Sequence, residues 1–251
     1  MKRLASILIY LSFVACVPDF LKQEKSNSEN STDGKKKTGI VKTKYEDGSV
    51  RAEISFTEGK KDGLAKEYYR NGRIFQEIMY SNGIKHGRAK RYYENGQLYQ
   101  ETPYDSGKIE GIQKKYRSDG KLSAEIPYHK NNPCVGLKEY LTDGSPRRKY
   151  PSIIVTPVDN IWKDGHYTLR ISMSDNTKRV EYYRGSLAEG ECLSNFMGNI
   201  FETQKGVAEI TYVVPPGTFI MEQVNIVAKV ETLLGNDYIT QIRYNVAAEN
   251  R

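Results

Sequence analysis

The sequence predicts an all-β protein in two parts: an elongated array of stacked β-hairpins, then an antiparallel β-sandwich for which an immunoglobulin-like arrangement is one candidate. Three observations predict this fold. The stretch "EYYRNGRIFQE" at residues 67–77 returns, slightly changed, as "RYYENGQLYQE" at residues 91–101. Asx-Gly dipeptides recur at the same interval of 24 residues. Beyond residue 150 this period stops, and short strand-like segments alternate with turn signals.

The first element to justify is the hairpin, which depends on glycine. A glycine preceded by Asp or Asn stands at each of Gly48, Gly72, Gly96, Gly120 and Gly144. A two-residue type I′ turn needs positive φ at both central residues, and Asx and Gly tolerate this conformation. We therefore predict five hairpin repeats over residues 39–150, each closed by its Asx-Gly pair. A second set of glycines, Gly59, Gly83 and Gly107, marks the links between hairpins.

The turns fix which side chains face each other. With the Asx-Gly pair at the turn centre, Lys66 faces Glu77 across the hairpin. The same register pairs Lys42 with Glu53, Lys90 with Glu101 and Lys114 with Glu125. An exposed pair contributes only about 0.2–1 kcal/mol, so these pairs support the register more than the stability. The fifth unit departs from the pattern, because Lys138 would face Lys149, and we expect it to be degenerate.

Alternation along the strands then separates two faces. One face carries mostly apolar columns, such as that of Ile54, Ile78 and Ile126, and we expect it to be the packed side. The opposite face carries the Lys–Glu pairs, and its aromatic column is a candidate contact face. That column consists of Tyr68, Tyr92, Tyr116 and Tyr140. The alternative, that these rings only cover neighbouring strands, stays open.

The loop segments of the repeats indicate a family. "EGKKDG" (58–63), "SNGIKHG" (81–87) and "SGKIEG" (106–111), each followed by a Tyr-bearing strand and Asx-Gly, resemble MORN repeats. The resemblance is greatest to the bacterial variant found in antitoxin-like proteins and in envelope lipoproteins. It implies β-hairpins stacked into an elongated, curved sheet. It also implies a binding or scaffolding module, with lipid-headgroup or protein contacts and no catalysis.

The N-terminus predicts export and lipidation. Lys2 and Arg3 precede an apolar run that is too short to span a membrane, so residues 1–15 are typical of a signal peptide. The ending "FVAC" resembles the bacterial lipobox and makes Cys16 the predicted lipidation site, with an ordinary signal peptide as the alternative. Residues 16–38 are polar and should form a flexible tether. We therefore expect a lipid-anchored protein of the bacterial cell envelope, facing the periplasm or the surface, and in the outer membrane of a Gram-negative cell.

The last hundred residues predict the sandwich over residues 151–251. Six strand-like segments are separated by turn signals such as Pro215-Pro216-Gly217. Residues 187–203 fit no strand and are predicted to be a loop or short helix on the rim. Two cysteines remain, Cys134 and Cys192; we expect free thiols, with a disulfide as the alternative in an oxidising envelope.

The distribution of charge and the sequence motifs limit which functions the chain can have. The net charge is +7 over residues 40–150 and −3 over residues 151–251, which favours two regions with different surfaces. Three histidines, His86, His129 and His166, lack a metal-ligand spacing. No nucleophile motif or nucleotide fingerprint is present, so we expect neither catalysis nor a metal or other cofactor.

The partners follow from these features. Nucleic acid is disfavoured, because most repeat lysines face glutamates and the chain is exported. We expect membrane attachment through acyl chains on Cys16 and non-catalytic binding or scaffolding with another envelope protein or a polysaccharide. The alternatives are adhesion of the basic ribbon to polysaccharide or anionic lipid, and an envelope-polymer hydrolase sited in the C-terminal domain.

Overall fold

The fold is seen in a computed structural model that describes residues 36–193 and 203–251. The predicted signal peptide, Cys16 and most of the predicted tether lie outside the described residues, as does most of the predicted rim loop. Residues 36–251 belong to one compact unit. Among the described residues, no helix has the length and apolar character needed to cross a membrane.

The first part of this unit is a single antiparallel sheet of eleven strands, which runs from β1 at one edge to β9, β10 and β11 at the other. Its strands are β1 (Gly39–Lys44), β2 (Val50–Thr57), β3 (Lys60–Tyr68), β4 (Ile74–Ser81), β5 (Ile84–Tyr92), β6 (Leu98–Asp105), β7 (Lys108–Ile109), β8 (Gly111–Tyr116), β9 (Leu122–His129), β10 (Asn132–Pro133) and β11 (Lys138–Glu139). The predicted array of stacked hairpins is therefore confirmed.

The Asx-Gly turns differ in type from the prediction. Gly72 has φ +81°, but Asn71 does not have positive φ, so the type I′ turn expected here is wrong. The Gly72 N–H donates to the Tyr69 carbonyl at 2.9 Å, and the Asn71 Oδ1 accepts from the Arg73 N–H at 3.0 Å. This is a type I turn followed by a left-handed glycine. The turn needs Asp or Asn because the side-chain oxygen accepts a hydrogen bond from the backbone N–H two residues further along the chain.

The other Asx-Gly turns repeat this bond. The same side-chain oxygen accepts from Ser49 at Asp47, from Gln97 at Asn95, from Lys121 at Asp119 and from Ser145 at Asp143. The turn thus forms five times, including at Gly144 in the degenerate last unit.

The type I′ turns lie instead at the links between hairpins. Both central residues have positive φ at Glu58-Gly59, at Asn82-Gly83 and at Ser106-Gly107. Each link joins two strands with only two loop residues, for example between Ser81 and Ile84. Because this turn matches the twist of the flanking strands, the chain continues from one hairpin into the next without leaving the sheet.

A second column of side chains ties each repeat to the following one. The hydroxyl groups of Tyr45, Tyr69 and Tyr93 donate to the carbonyl oxygens 23 residues on, at 2.6–2.8 Å. In the next repeat Arg117 replaces the tyrosine and donates to the Tyr140 carbonyl. These bonds satisfy backbone oxygens close to the turns.

The predicted packed face builds an apolar cluster only near its C-terminal end. Ala124, Ile126 and Leu137 form a buried cluster with Tyr150 and Tyr238 against them. In the earlier repeats the corresponding large side chains, such as Ile54 and Ile78, are half-buried. The expectation of a packed face therefore holds fully for the fourth repeat, whereas the earlier repeats bury only small residues of this face, Ala52, Ala65, Ala89 and Thr102.

The second part is a sandwich of two three-stranded antiparallel sheets, ordered β12-β13-β15 and β14-β16-β17. Its elements are β12 (Ile153–Asn160), α1 (Ile161–Asp164), β13 (His166–Met173), β14 (Val180–Arg184), β15 (Ala208–Val213), β16 (Thr218–Glu231) and β17 (Asp237–Asn250). Inward side chains of both sheets, among them Leu169, Ile171, Tyr182 and Ile226, share one buried cluster. The predicted sandwich is confirmed as an architecture.

Several contacts fasten the sandwich to the last strands of the array. Cys134 and Cys192 form a disulfide, so the expectation of two free thiols is wrong. The Glu139 side chain is fully buried; it accepts from Thr232 and Asn236 at 2.5 and 2.7 Å. The Arg147 guanidinium also pairs with this carboxylate, with 2.9 Å between Nη1 and Oε2. A buried carboxylate is tolerated when it is paired and hydrogen-bonded in this way.

The turn geometry makes a testable distinction between two adjacent residues. We expect Gly72→Ala to lower the free energy of unfolding by about 1–2 kcal/mol, because an L side chain is strained at φ +81°. Asn71→Asp should cost less, under about 0.5 kcal/mol, because Asp keeps the bond to the Arg73 N–H and loses only the exposed contact with Glu94. Urea denaturation of both variants measures this difference. A neutral Gly72→Ala would contradict the assigned turn.

Candidate binding surface

One face of the array carries a continuous row of alternating charges, called here the charged row. Its members face one another on successive strands: Lys42, Glu53, Lys66, Glu77, Lys90, Glu101, Lys114, Glu125 and Lys138. The four Lys–Glu pairs predicted within hairpins are confirmed. The pairs between hairpins were missed, and they give each glutamate a lysine on both sides.

The ion pairs of this row are close but partly exposed. Nζ–Oε1 distances are 2.7 Å for Lys42–Glu53, 3.6 Å for Lys114–Glu125 and 3.8 Å for Lys66–Glu77. Glu101 is also engaged by Arg88. Lys138 faces Glu125, not the predicted Lys149, because residues 145–152 form no strand of the array.

The predicted contact tyrosines lie on the same face and bind the charged row. The hydroxyl of Tyr68 donates to Glu53 at 2.9 Å, and that of Tyr92 donates to Glu77 at 2.8 Å. Tyr140 donates to Glu125 at 2.8 Å. All three rings are half-buried. The tyrosine column thus has a structural role, and its contact with a partner stays a prediction.

Tyr116 is the exception in this column. Its ring is half-buried like the others, but in the part of the chain that the structure describes its hydroxyl makes no hydrogen bond with Glu101. Glu101 binds the Arg88 guanidinium instead. Arg88 has no cationic counterpart in the neighbouring repeats, where Leu64 and Ile112 stand 24 residues away.

These contacts change the acidity of both partners. Hydrogen bonds from Lys42 and then from Tyr68 lower the pKa of Glu53. Burial and then the hydrogen bond to Glu77 raise the pKa of Tyr92 to about 12. Glu53 therefore stays ionised and Tyr92 stays neutral over the whole physiological range.

An apolar strip runs beside the charged row on the same face. It consists of Ile40, Leu64, Met79, Pro103, Ile112 and Pro127, two residues along the strand from row members. Leu64 faces Met79, and Ile112 faces Pro127. The exposed fractions of Leu64, Met79 and Ile112 are 36, 41 and 52%. Sequence patterning missed this strip, because charged and apolar residues alternate on one face.

The histidines lie apart from one another. The His129 imidazole contacts Glu110 at 2.8 Å, the His166 imidazole contacts Asp164 at 3.1 Å, and His86 faces Met79. Among the described residues, no group of His, Cys, Asp or Glu has a metal-site geometry. Glu139 is the buried acid that sequence reasoning missed; its partners lie 93 and 97 residues away along the chain.

The raised tyrosine pKa predicts an alkaline loss of stability. The folded state holds the Tyr92 proton up to a pKa of about 12, whereas the unfolded chain releases it near 10. The free energy of unfolding should therefore fall as pH rises from about 10 to about 12. Tyr92→Phe should make this fall less steep, as measured by urea denaturation across that range.

Tyr116→Phe is the matched control, since it also removes one phenol but breaks no bond to a glutamate. An equal change in slope for both variants would contradict a specific role of the Tyr92–Glu77 bond.

Comparison with known proteins identifies the repeats. The model of the MORN repeat variant matches residues 37–58, 61–82, 85–106 and 109–130. Each matched segment holds one Asx-Gly turn and ends at a link between hairpins. No curated protein matches the sequence. The chain therefore carries four tandem MORN repeats of the variant type between residues 37 and 130.

Proposed function

We propose that this chain is a non-catalytic binding and scaffolding module of the bacterial cell envelope. The repeats supply the binding surface, and acyl chains on Cys16 hold the protein to the membrane. MORN repeats are consistent with a module of this kind. The cell-envelope location rests on the signal-peptide and lipobox patterns of the sequence.

One observation carries the proposal: most of the array does not build a core. Among the described residues, the buried apolar clusters draw on the array only from Ala124 onward. Strands β2 to β6 bury only small side chains, those of Ala52, Ala65, Ala89 and Thr102, and leave the large side chains of both faces half-buried or exposed. A domain that leaves the strands from Val50 to Asp105 without an apolar core is suited to presenting surface.

The charged face fits a protein partner. Its carboxylates already accept hydrogen bonds from lysine and tyrosine, so a partner could cover them without leaving a charge unpaired. The apolar strip beside them supplies the area whose burial favours association. The same contacts support the proposal of a non-catalytic protein, because these glutamates and tyrosines are already bonded to other side chains of the sheet.

Crosslinking in living cells tests the protein contact. A photo-crosslinking residue at Met79, within the apolar strip, should capture a defined protein in the full-length chain. The same residue at Met221, an exposed methionine of the sandwich, is the matched control and should capture no such product. Capture from Met221 alone would move the contact to the sandwich and contradict the role of the strip.

The membrane anchor has a separate test. Growth with a labelled fatty acid should label the wild-type chain, and the membrane fraction should retain it. Cys16→Ala should remove the label and release the protein, because each buried CH₂ of an acyl chain contributes about 0.8 kcal/mol. Label that persists in the variant would rule out Cys16 as the acylated residue.

A further inference from the structure

We propose that the face opposite the charged row binds an anionic polysaccharide at a patch formed by Gln76, Arg91, Gln100 and Lys115, called here the Arg91 patch. This site is independent of the protein contact proposed above, which uses the other face of the sheet.

The Arg91 patch is a row across four strands. Gln76 faces Arg91, Arg91 faces Gln100, and Gln100 faces Lys115. Each member stands one residue from a member of the charged row, so its side chain points to the opposite face. All four side chains are half-buried. They therefore form a row of hydrogen-bonding groups set within the sheet surface.

Arg91 lacks the acidic neighbours that the cations of the charged row have. Its cross-strand neighbours are two glutamines, and no described residue accepts a hydrogen bond from its guanidinium. The Nε atom is buried without a partner. Phe75 and Tyr99 lie 5.2 and 5.6 Å from the guanidinium carbon, measured to the ring centroids, and orient the group. The two Nη groups are left to bind an anion.

Lys115 stands where the patch meets the C-terminal region. Its Nζ donates to the Gly235 carbonyl at 3.2 Å, which leaves two of its three donors for a ligand. Burial lowers the pKa of the Lys115 ammonium, and Asp237 and Glu139 act in the opposite direction. An anionic ligand beside Lys115 would favour the charged ammonium further.

The repetition of the patch selects a polymer over a single small anion. Gln76 and Gln100 are 24 residues apart, and so are Arg91 and Lys115. Successive copies lie two strands apart, about 10 Å. This spacing is close to the length of two sugar units, so a chain with an acidic group on at least every second sugar would meet both cations. The amides suit sugar hydroxyls, and aromatic rings suit the apolar faces of sugars.

The patch has definite ends. Towards the N-terminus the equivalent positions are Ala52 and Glu67, and towards the C-terminus they are Ala124 and the buried Glu139. A flat bilayer would first meet exposed lysines at the turns, whereas an extended sugar chain can lie along a half-buried row. The geometry thus favours a polysaccharide over lipid headgroups.

Binding of the purified full-length chain to polygalacturonate tests the proposal, with uncharged dextran and anionic phospholipid vesicles as the comparison probes. Wild type should bind polygalacturonate, more weakly as salt rises, and should not bind dextran. Arg91→Gln should weaken binding by about tenfold, as expected for loss of a charge-assisted hydrogen bond. Arg91→Lys should weaken it less.

The matched control is Arg88→Gln, which removes the same charge from the same strand on the other face. It should leave polygalacturonate binding unchanged. Lys115→Gln provides a second test at the other end of the patch, and circular dichroism with thermal melting verifies that each variant is folded.

Three results would overturn the proposal. The first is no binding of wild type to polygalacturonate. The second is equal loss in the Arg88 and Arg91 variants, which would indicate net charge alone. The third is vesicle binding that depends on Arg91 without polymer binding, which would assign the patch to lipid. None of these results affects the crosslinks expected from Met79, so the protein contact is tested separately.

Discussion

Residues held in the left-handed region, glycine at each Asx-Gly turn and glycine or asparagine at each link, fix the register of the array, and the rest of the sheet depends on that register. A slip of one residue would move every side chain to the other face. With the register fixed, each interior lysine of the charged row stands between two glutamates, and like charges are always two strands apart. Each pair alone is weak, but every glutamate is shared by two lysines and often a tyrosine hydroxyl. The charged row therefore stabilises the correct register at each strand and destabilises any other register.

Much of the array could be predicted because its determinants are local. Asx-Gly dipeptides in phase indicate hairpins, and the four lysine–glutamate pairs within hairpins follow from counting outward from each turn. The turn type did not follow, because Asx-Gly suits two turns and the choice depends on whether the Asx side chain reaches the amide two residues on. Asn82-Gly83 is a sequence signal for the type I′ turn of the links. A loop of two residues between the flanking strands predicts these links, and with them the lysine–glutamate pairs between hairpins.

The parts that could not be predicted depend on docking between distant segments. Cys134 and Cys192 are 58 residues apart, and nothing local to either indicates a partner. Glu139 continues the column of Glu67, Arg91 and Lys115, so the sequence pattern predicts a side chain on an ordinary sheet face. It is buried only because the turn between β16 and β17 lies over it. The sandwich strands were predictable from their composition, whereas their position on the array was not.

The docked sandwich also explains why the sheet is asymmetric along its length. At the C-terminal end the last strands are covered, fastened by the disulfide and by Glu139. At the other end, β1 is largely exposed and has an unpaired edge in the part of the chain that the structure describes. Lys42 and Lys44 lie on that edge strand, and lysines on an edge oppose the pairing of a second sheet. The array thus stays a single sheet by two different means, coverage at one end and charge at the other.

The charged row and the column on the other face differ in how much they vary between repeats. Positions of the charged row keep the same residue in every repeat, lysine at 42, 66, 90, 114 and 138 and glutamate at 53, 77, 101 and 125. One residue further along the strand, the column on the other face changes from Glu67 to Arg91 to Lys115 to Glu139. Because neighbouring residues point to opposite sides, that column can vary without disturbing the pairs that hold the register. A uniform row is what a structural requirement produces. A row that places two cations between two acids, with amides beside them, is better explained by a ligand that meets only the middle of the array.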